Sequence, residues 1–197
     1  MKKETIIGLF GFGVVGEGLY QLLLNNQITK THIKHICVRD QDKPRSLDDH
    51  KFCYDPDTIL DDQQVNLVIE LTNDEQGAYN IVRNALVKGK SVVSGNKKMV
   101  AHHLEEFMEI QEQTGSALLY DASACGSIPV IRNLEEYYDN DLLKSISGIL
   151  NGSSNFILSR MFNHDESYAS SLSKAQELGY AESDPTSDVD GLDALYK

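Results

Sequence analysis

Residues 5–16 read TIIGLFGFGVVG, and the fold follows from the way this stretch changes character halfway along. Thr5 to Phe10 is a short apolar run that ends on the loop Gly11, Phe12, Gly13, Val14, Val15, Gly16, a G-x-G-x-x-G. From there Val14, Val15, Leu19, Leu22 and Leu23 recur at steps of three and four, the period of an amphipathic helix. A strand that runs through such a loop straight into a helix reads as the phosphate-binding turn of a dinucleotide fold, the plain alternative being a glycine-rich turn. Its first glycine allows the tight turn, its second lets backbone approach a pyrophosphate, and its third lets helix and strand pack closely. The helix N-terminus adds unpaired N–H groups and a partial positive charge. All six residues from Gly11 to Gly16 are candidate cofactor contacts.

Outward from this loop, strands and helices alternate. His32 to Val38 reads as a second strand, and the charged stretch Arg39 to Asp57 as a surface loop with little regular structure. Val65 to Leu71 (VNLVIEL) is an apolar run broken only by Asn66 and Glu70, as expected of a parallel strand covered on both faces. Asn73 to Lys88 has helical character and closes on Gly89. Ser91 to Ser94 is a fourth strand, His102 to Thr114 a helix stopped by Gly115, and Ala117 to Tyr120 a fifth strand. Alternation with short connections predicts an α/β fold, a doubly wound parallel sheet with right-handed crossovers over residues 1–125. Beyond it the pattern changes. Ile128 to Tyr138 is helical in period, Leu142 to Leu150 alternates like a strand, and Asn155 to Phe162 and Tyr168 to Leu178 are helical again. Residues 126–197 therefore read as the first part of an α+β domain. The chain stops at Lys197 with no terminating element after its last apolar positions, and reads as a fragment of a longer one.

The second strand ends in Cys37-Val38-Arg39-Asp40. An acidic residue there would bond the ribose 2′-hydroxyl of NAD, and an arginine would accept the 2′-phosphate of NADP. Arg39 comes first and has Lys43 and Arg45 nearby, which favours NADP, with NAD through Asp40 as the alternative.

The composition narrows the partners. The 197 residues carry 30 acidic and 18 basic side chains, a formal charge of −12. Such a field repels phosphate backbones and anionic lipid, so neither nucleic acid nor a membrane is expected as a partner. No apolar run approaches the roughly 20 residues of a membrane span, and the N-terminus lacks a signal-peptide core. Three cysteines at irregular spacing suit reduced thiols in a cytoplasm.

Five segments together resemble the homoserine dehydrogenase family in order and spacing: GLFGFGVVGEGL (8–19), VVSGNKKMVA (92–101), DASACGSIPVI (121–131), GILNGSSNFIL (148–158) and ELGYAESDPTSDVDGLDALYK (177–197). The last two are far more specific than the glycine loop. The resemblance implies reduction of L-aspartate 4-semialdehyde to L-homoserine with NADPH or NADH, on the route to threonine and methionine. It also implies a homodimer, with a catalytic domain longer than residues 126–197.

Reducing an aldehyde requires hydride, a proton for the developing alkoxide, and groups that hold the substrate's ends. By resemblance, Lys197 and Lys97 match the family's catalytic lysines, with Lys98 competing for the place of Lys97. A lysine ammonium can stabilise an alkoxide and donate the proton. Glu182, Asp188 and Asp193 match groups that bind the substrate amino group or support Lys197, and residues 193 and 197 would share a helix face. The plain alternative is a solvated acidic loop in which Asp188 caps a helix. Gly152 and Ser153 match substrate-binding positions, although the family usually has threonines where Ser153 and Ser154 stand. Thr72 and Asn73, at the end of the third strand, match contacts to the nicotinamide half of the cofactor. Gly179 matches a residue beside the cofactor, or is simply a helix C-cap. A monovalent cation such as Na+ would sit at Asp121, Ala124, Gly126 and Ile128, where Asp121 replaces a longer glutamate.

Two rivals remain at this stage. Cys125 could be the thiolate of an acylating semialdehyde dehydrogenase, or the chain could be a non-catalytic cofactor-binding module.

Overall fold

The computed structural model describes residues 4–25, 30–45, 47, 51–126, 128–181 and 184–197. The chain divides into two compact units, Met1–Ser123 and Ala124–Lys197. In the first, β1 (Thr5–Phe10), α1 (Val14–Asn25), β2 (Thr31–Cys37), β3 (Phe52–Cys53), α2 (Asp57–Leu60), β4 (Leu67–Glu70), α3 (Glu75–Val87), β5 (Ser91–Ser94), α4 (Lys97–Thr114) and β6 (Leu118–Leu119) follow in order. The six strands form one sheet, β3-β2-β1-β4-β5-β6, in which every neighbouring pair is parallel. From β1 the chain steps outward to β2 and β3, then returns to the opposite side of β1 for β4. The C-terminal ends of β1 and β4 thus frame the switch point at which such sheets bind ligands.

Alternate residues of each strand point to opposite faces, and both faces are covered. Leu9, Ile33, Ile36 and Ile69 pack with Tyr20 of α1 on one side. Phe10, Val68 and Val92 pack with Ala85, Leu86 and Phe107 of α3 and α4 on the other. That double burial is why VNLVIEL reads as a nearly continuous apolar run. Helix α4 begins at Lys97 rather than at the expected His102, because the Asn96 side chain accepts the Met99 N–H at 3.1 Å and caps it.

The expected loop over Arg39–Asp57 contains structure after all. Phe52–Cys53 adds the edge strand β3, whose register pairs Cys37 with Cys53. Two residues are too few to show a period, which is why the strand was illegible. The hydrogen bond between these two thiols shifts them in opposite senses. The bond to Cys53 and then burial push the Cys37 thiol up, whereas the bond to Cys37 brings the Cys53 thiol down. Of the pair, Cys53 should therefore be alkylated by iodoacetamide well before Cys37 at mildly alkaline pH, as peptide mapping over a time course would show. Equal rates would contradict this reading.

Between α2 and β4, Asp62 bonds both Lys34 and His35 of β2. The Lys34 ammonium holds the Asp62 carboxyl below the usual carboxylate range, with the Gln64 N–H and His35 adding to it. A depressed carboxylate stabilises the fold fully above its unfolded value of about 3.9. That contribution is lost as pH falls through the lower folded value. Thermal melts taken from neutrality to about pH 3 should show stability falling at the acid end, and less steeply in Lys34→Met. An unchanged slope in the variant would refute the assignment.

The second unit is helical where it is regular. Helix α5 (Asp121–Cys125) runs into it, followed by α6 (Val130–Tyr137), α7 (Gly152–His164), α8 (Tyr168–Glu177), α9 (Thr186–Val189) and α10 (Leu192–Leu195). Helices α7 and α8 pack through Ile157, Ala175 and Ala181, with Phe156, Met161 and Leu172 around them. The strand expected over Leu142–Leu150 does not form. Leu142 is 83% exposed, Ile146 62% and Ile149 75%. Strand pairing needs a neighbouring strand, and the described residues of this unit contain none. Among the described residues no helix is long and apolar enough to cross a membrane.

Candidate active site

In the first unit the glycine loop sits at the switch point. Gly11 has φ +92°, and its N–H donates to the Cys37 carbonyl at 3.0 Å. A Cβ there would lie 2.6 Å from the Leu71 carbonyl oxygen, and one at Gly16 would lie 2.4 Å from the Gly11 carbonyl oxygen. Both glycines are required by backbone approaching backbone. Gly13 differs, since a Cβ there would meet nothing within 4 Å. That open space above the first turn of α1 fits a pyrophosphate, so the loop suits the cofactor it was expected to hold. Val14, 91% exposed, begins the helix, and Phe12 packs edge-on against Tyr20 and Phe52.

Arg39 stands exposed just beyond β2. Asp40 is engaged in its own turn, where its Oδ1 accepts the N–H groups of Asp42 and Lys43 at 3.0 and 3.2 Å. Arg45 folds back to the Asp40 and Lys43 carbonyls and stacks over Phe52. Arg39, Lys43 and Arg45 thus all lie in the segment that follows β2.

On the other side of β1, Thr72 donates its N–H and hydroxyl to the Glu70 carboxylate at 2.6 and 2.7 Å, and Asn73 beside it is exposed. Lys97 is the first residue of α4 and half-buried. Lys98 makes an ion pair with Glu75 at 2.8 Å. That hydrogen bond, with a second from His102, holds the Glu75 carboxyl below its ordinary range.

In the second unit, Asn151 meets three side chains of the distant C-terminal segment. Asn151 donates from Nδ2 to Asp188 Oδ1 at 2.7 Å and to Asp193 Oδ2 at 3.2 Å. Lys197 Nζ lies 3.2 Å from the same Asp193 oxygen and also donates to the Leu150 carbonyl. This ion pair is largely shielded from solvent, with side chains 15% and 16% exposed. Beside it opens a cleft of about 290 Å³ lined by Leu150, Asn151, Ser154, Asp188, Gly191 and Ala194, among others. Asn151 also caps α7, its Oδ1 accepting the Ser154 N–H at 2.7 Å. Asn151 was not anticipated, although an asparagine just before a helix is a recognisable cap signal.

The remaining expected residues divide. Gly152 opens α7. Ser153 is buried and donates its hydroxyl to the Tyr180 carbonyl. Gly179, with φ +77°, terminates α8, which is the C-cap alternative. Asp188 lies inside α9 and does not cap it; there Asp184 Oδ1 accepts from Thr186, a bond that lowers the Asp184 carboxyl. Glu182 lies outside the described residues. Asp121 opens α5 with its Oδ1 buried and without a hydrogen-bond partner. Ala124 is buried, while Gly126 (φ +62°) and Ile128 are exposed. No cluster of three or more His, Cys, Asp or Glu side chains suited to a metal occurs among the described residues.

Comparison with known proteins covers both units. Residues 11–121 match the family described as homoserine dehydrogenase, NAD binding domain, and residues 129–197 match the family described as homoserine dehydrogenase. The chain is 38% identical over 202 residues to homoserine dehydrogenase of Lactococcus lactis, covering 97% of this chain and 47% of that protein. It is 36% identical over 204 residues to the Helicobacter pylori enzyme, covering 100% of this chain and 48% of the other. Among solved structures, a homoserine dehydrogenase from Thiobacillus denitrificans superimposes with a TM-score of 0.90 at 33% identity, covering 99% of this chain and 47% of that one. The chain therefore spans about half the length of the curated relatives it matches.

Proposed function

Because the chain belongs to the homoserine dehydrogenase family, we propose that it serves the NADPH-dependent reduction of L-aspartate 4-semialdehyde to L-homoserine. The observation that carries this reading is the convergence of Asn151, Asp188, Asp193 and Lys197 beside one cleft. NADPH, when bound, supplies the hydride.

The chain's own residues hold and protonate. Lys197 Nζ gives its proton to the oxygen that becomes the alkoxide, and Asp193 with the Leu150 carbonyl keeps the ammonium in place. Asp188 and Glu182 bind the substrate amino group, and Gly152 and Ser153 bond its other end. Lys97, at the start of α4, is the second lysine of the site; Lys98 is the weaker candidate because Glu75 already engages it.

Preference for NADP over NAD rests on Arg39 with Lys43 and Arg45, and on Asp40 being occupied by its own turn. Thr72, Asn73 and Gly179 complete the cofactor contacts. The unsatisfied Asp121 Oδ1 supports a monovalent cation there, with the carbonyls of Ala124, Gly126 and Ile128 as further donors. The reading extends to a homodimer acting in the cytoplasm on the way to threonine and methionine, consistent with three unpaired cysteines. The acylating alternative is set aside, since both matched families are homoserine dehydrogenases.

The test is homoserine oxidation at alkaline pH, followed by the absorbance of NADPH formed from NADP and then of NADH formed from NAD. Faster turnover with NADP is expected. Faster turnover with NAD would return the 2′ position to Asp40. Cofactor binding without turnover would favour a non-catalytic module.

A further inference from the structure

Glu70 has no part in the chemistry above, yet it is wholly buried, at 0% exposure, at the end of β4. Burying a carboxylate is costly unless its oxygens are bonded. Both are. Oε1 accepts the Thr72 N–H and hydroxyl at 2.6 and 2.7 Å, and Oε2 accepts the Ser94 hydroxyl at 2.7 Å. Two loops leave the sheet here, one from β4 to α3 and one from β5 to α4, and the carboxylate touches both.

The bonding closes into a ring. Ser94 Oγ accepts the Asn96 N–H at 3.1 Å, and Asn96 Nδ2 donates back to the Thr72 carbonyl at 3.1 Å. Asn96 Oδ1 caps α4, whose first residue is Lys97. The Glu70 carbonyl also accepts the Gly95 N–H at 2.9 Å. A dinucleotide whose 2′ position is read at β2 and whose pyrophosphate lies on the glycine loop must extend its other half across the switch point, toward β4 and β5. The ring borders that end.

We propose that Glu70 is a positioning residue that clamps the Thr72–Asn73 loop to the Asn96–Lys97 loop and so shapes the nicotinamide half of the cofactor site. This rests on the dehydrogenase reading. A carboxylate suits the task because it offers acceptors on both oxygens, one to each loop, whereas glutamine offers only one.

The test compares wild type with Glu70→Gln and, in case that variant fails to fold, Ser94→Ala, which removes the bridge from the other end. NADPH and adenosine 2′,5′-bisphosphate are each titrated, the second lacking the nicotinamide half. The variants should bind NADPH about tenfold more weakly, the loss expected from about 1.4 kcal/mol, and should bind the bisphosphate unchanged. Equal weakening of both ligands, or no change in either, would overturn the proposal. Amide hydrogen exchange supplies a readout that needs no ligand. Exchange should quicken at Thr72 and, together with it, at Asn96 and Met99. Quickening at Thr72 alone would show that Glu70 does not bridge. Were the wild type to bind neither ligand, the dehydrogenase reading would fail, and exchange would still decide the clamp.

Discussion

Gly11→Ala is expected to destabilise the first unit by about 2–6 kcal/mol and to abolish cofactor binding. Two effects add. At φ +92° a side chain strains the backbone by roughly 1–3 kcal/mol, and a Cβ placed 2.6 Å from the Leu71 carbonyl oxygen forces backbone apart, an overpacking cost of typically 1–3 kcal/mol. Nothing nearby can yield cheaply, because the contacted atoms are main chain on the neighbouring strand's exit. The same residue donates its N–H to the Cys37 carbonyl, so displacing it disturbs the ends of β1, β2 and β4 at once. The informative partner is Gly13→Ala. Its added Cβ meets no protein atom within 4 Å, so the melting temperature should stay within about 2 °C of wild type, a loss well under 1 kcal/mol. Cofactor affinity should nevertheless fall, because the new methyl group occupies the space the pyrophosphate needs. Calorimetry on both variants, with titration of NADP, checks the pair. Two variants that melt alike would mean that the glycines do not divide their work between folding and binding.

What the sequence disclosed was whatever repeats at short range. The glycine loop declared itself because its three glycines stand at fixed offsets between an apolar run and a helical period. β4 declared itself because burial on both faces leaves almost no polar residue to interrupt it. The failures share a cause, which is that pairing is not local. β3 is two residues long and exists only because β2 offers it an edge. Leu142–Leu150 carries a strand's alternation without a described neighbour to receive its hydrogen bonds. In the acidic segment near the C-terminus, counting carboxylates could not rank them. Their roles depend on Asn151, more than thirty residues away, which joins Asp188 to Asp193. Glu70 was visible only as the one charge in an apolar strand, and its meaning waited on Ser94 from the next strand.

Lys197→Ala should lower kcat for homoserine oxidation by about 10²- to 10⁴-fold, the range for loss of a positioned proton-transfer group, while KM for NADP changes little. The geometry sets this expectation. The ammonium is anchored by Asp193 at 3.2 Å and by the carbonyl of Leu150, a residue that lines the cleft, so it does not sweep solvent. A group so placed acts mainly on the transition state, where negative charge develops on the substrate oxygen, and its removal shows in kcat. Asp193→Asn keeps the shape and removes the charge opposite the lysine. It should give a smaller loss than Lys197→Ala, because the Leu150 carbonyl still orients the ammonium. Combining the two substitutions should cost little more than Lys197→Ala alone, since residues acting as one unit are not additive. Additive losses would separate Asp193 from Lys197 and return it to the substrate amino group. Activity that survives in Lys197→Ala but collapses in Lys97→Ala would transfer the proton to the lysine at the start of α4.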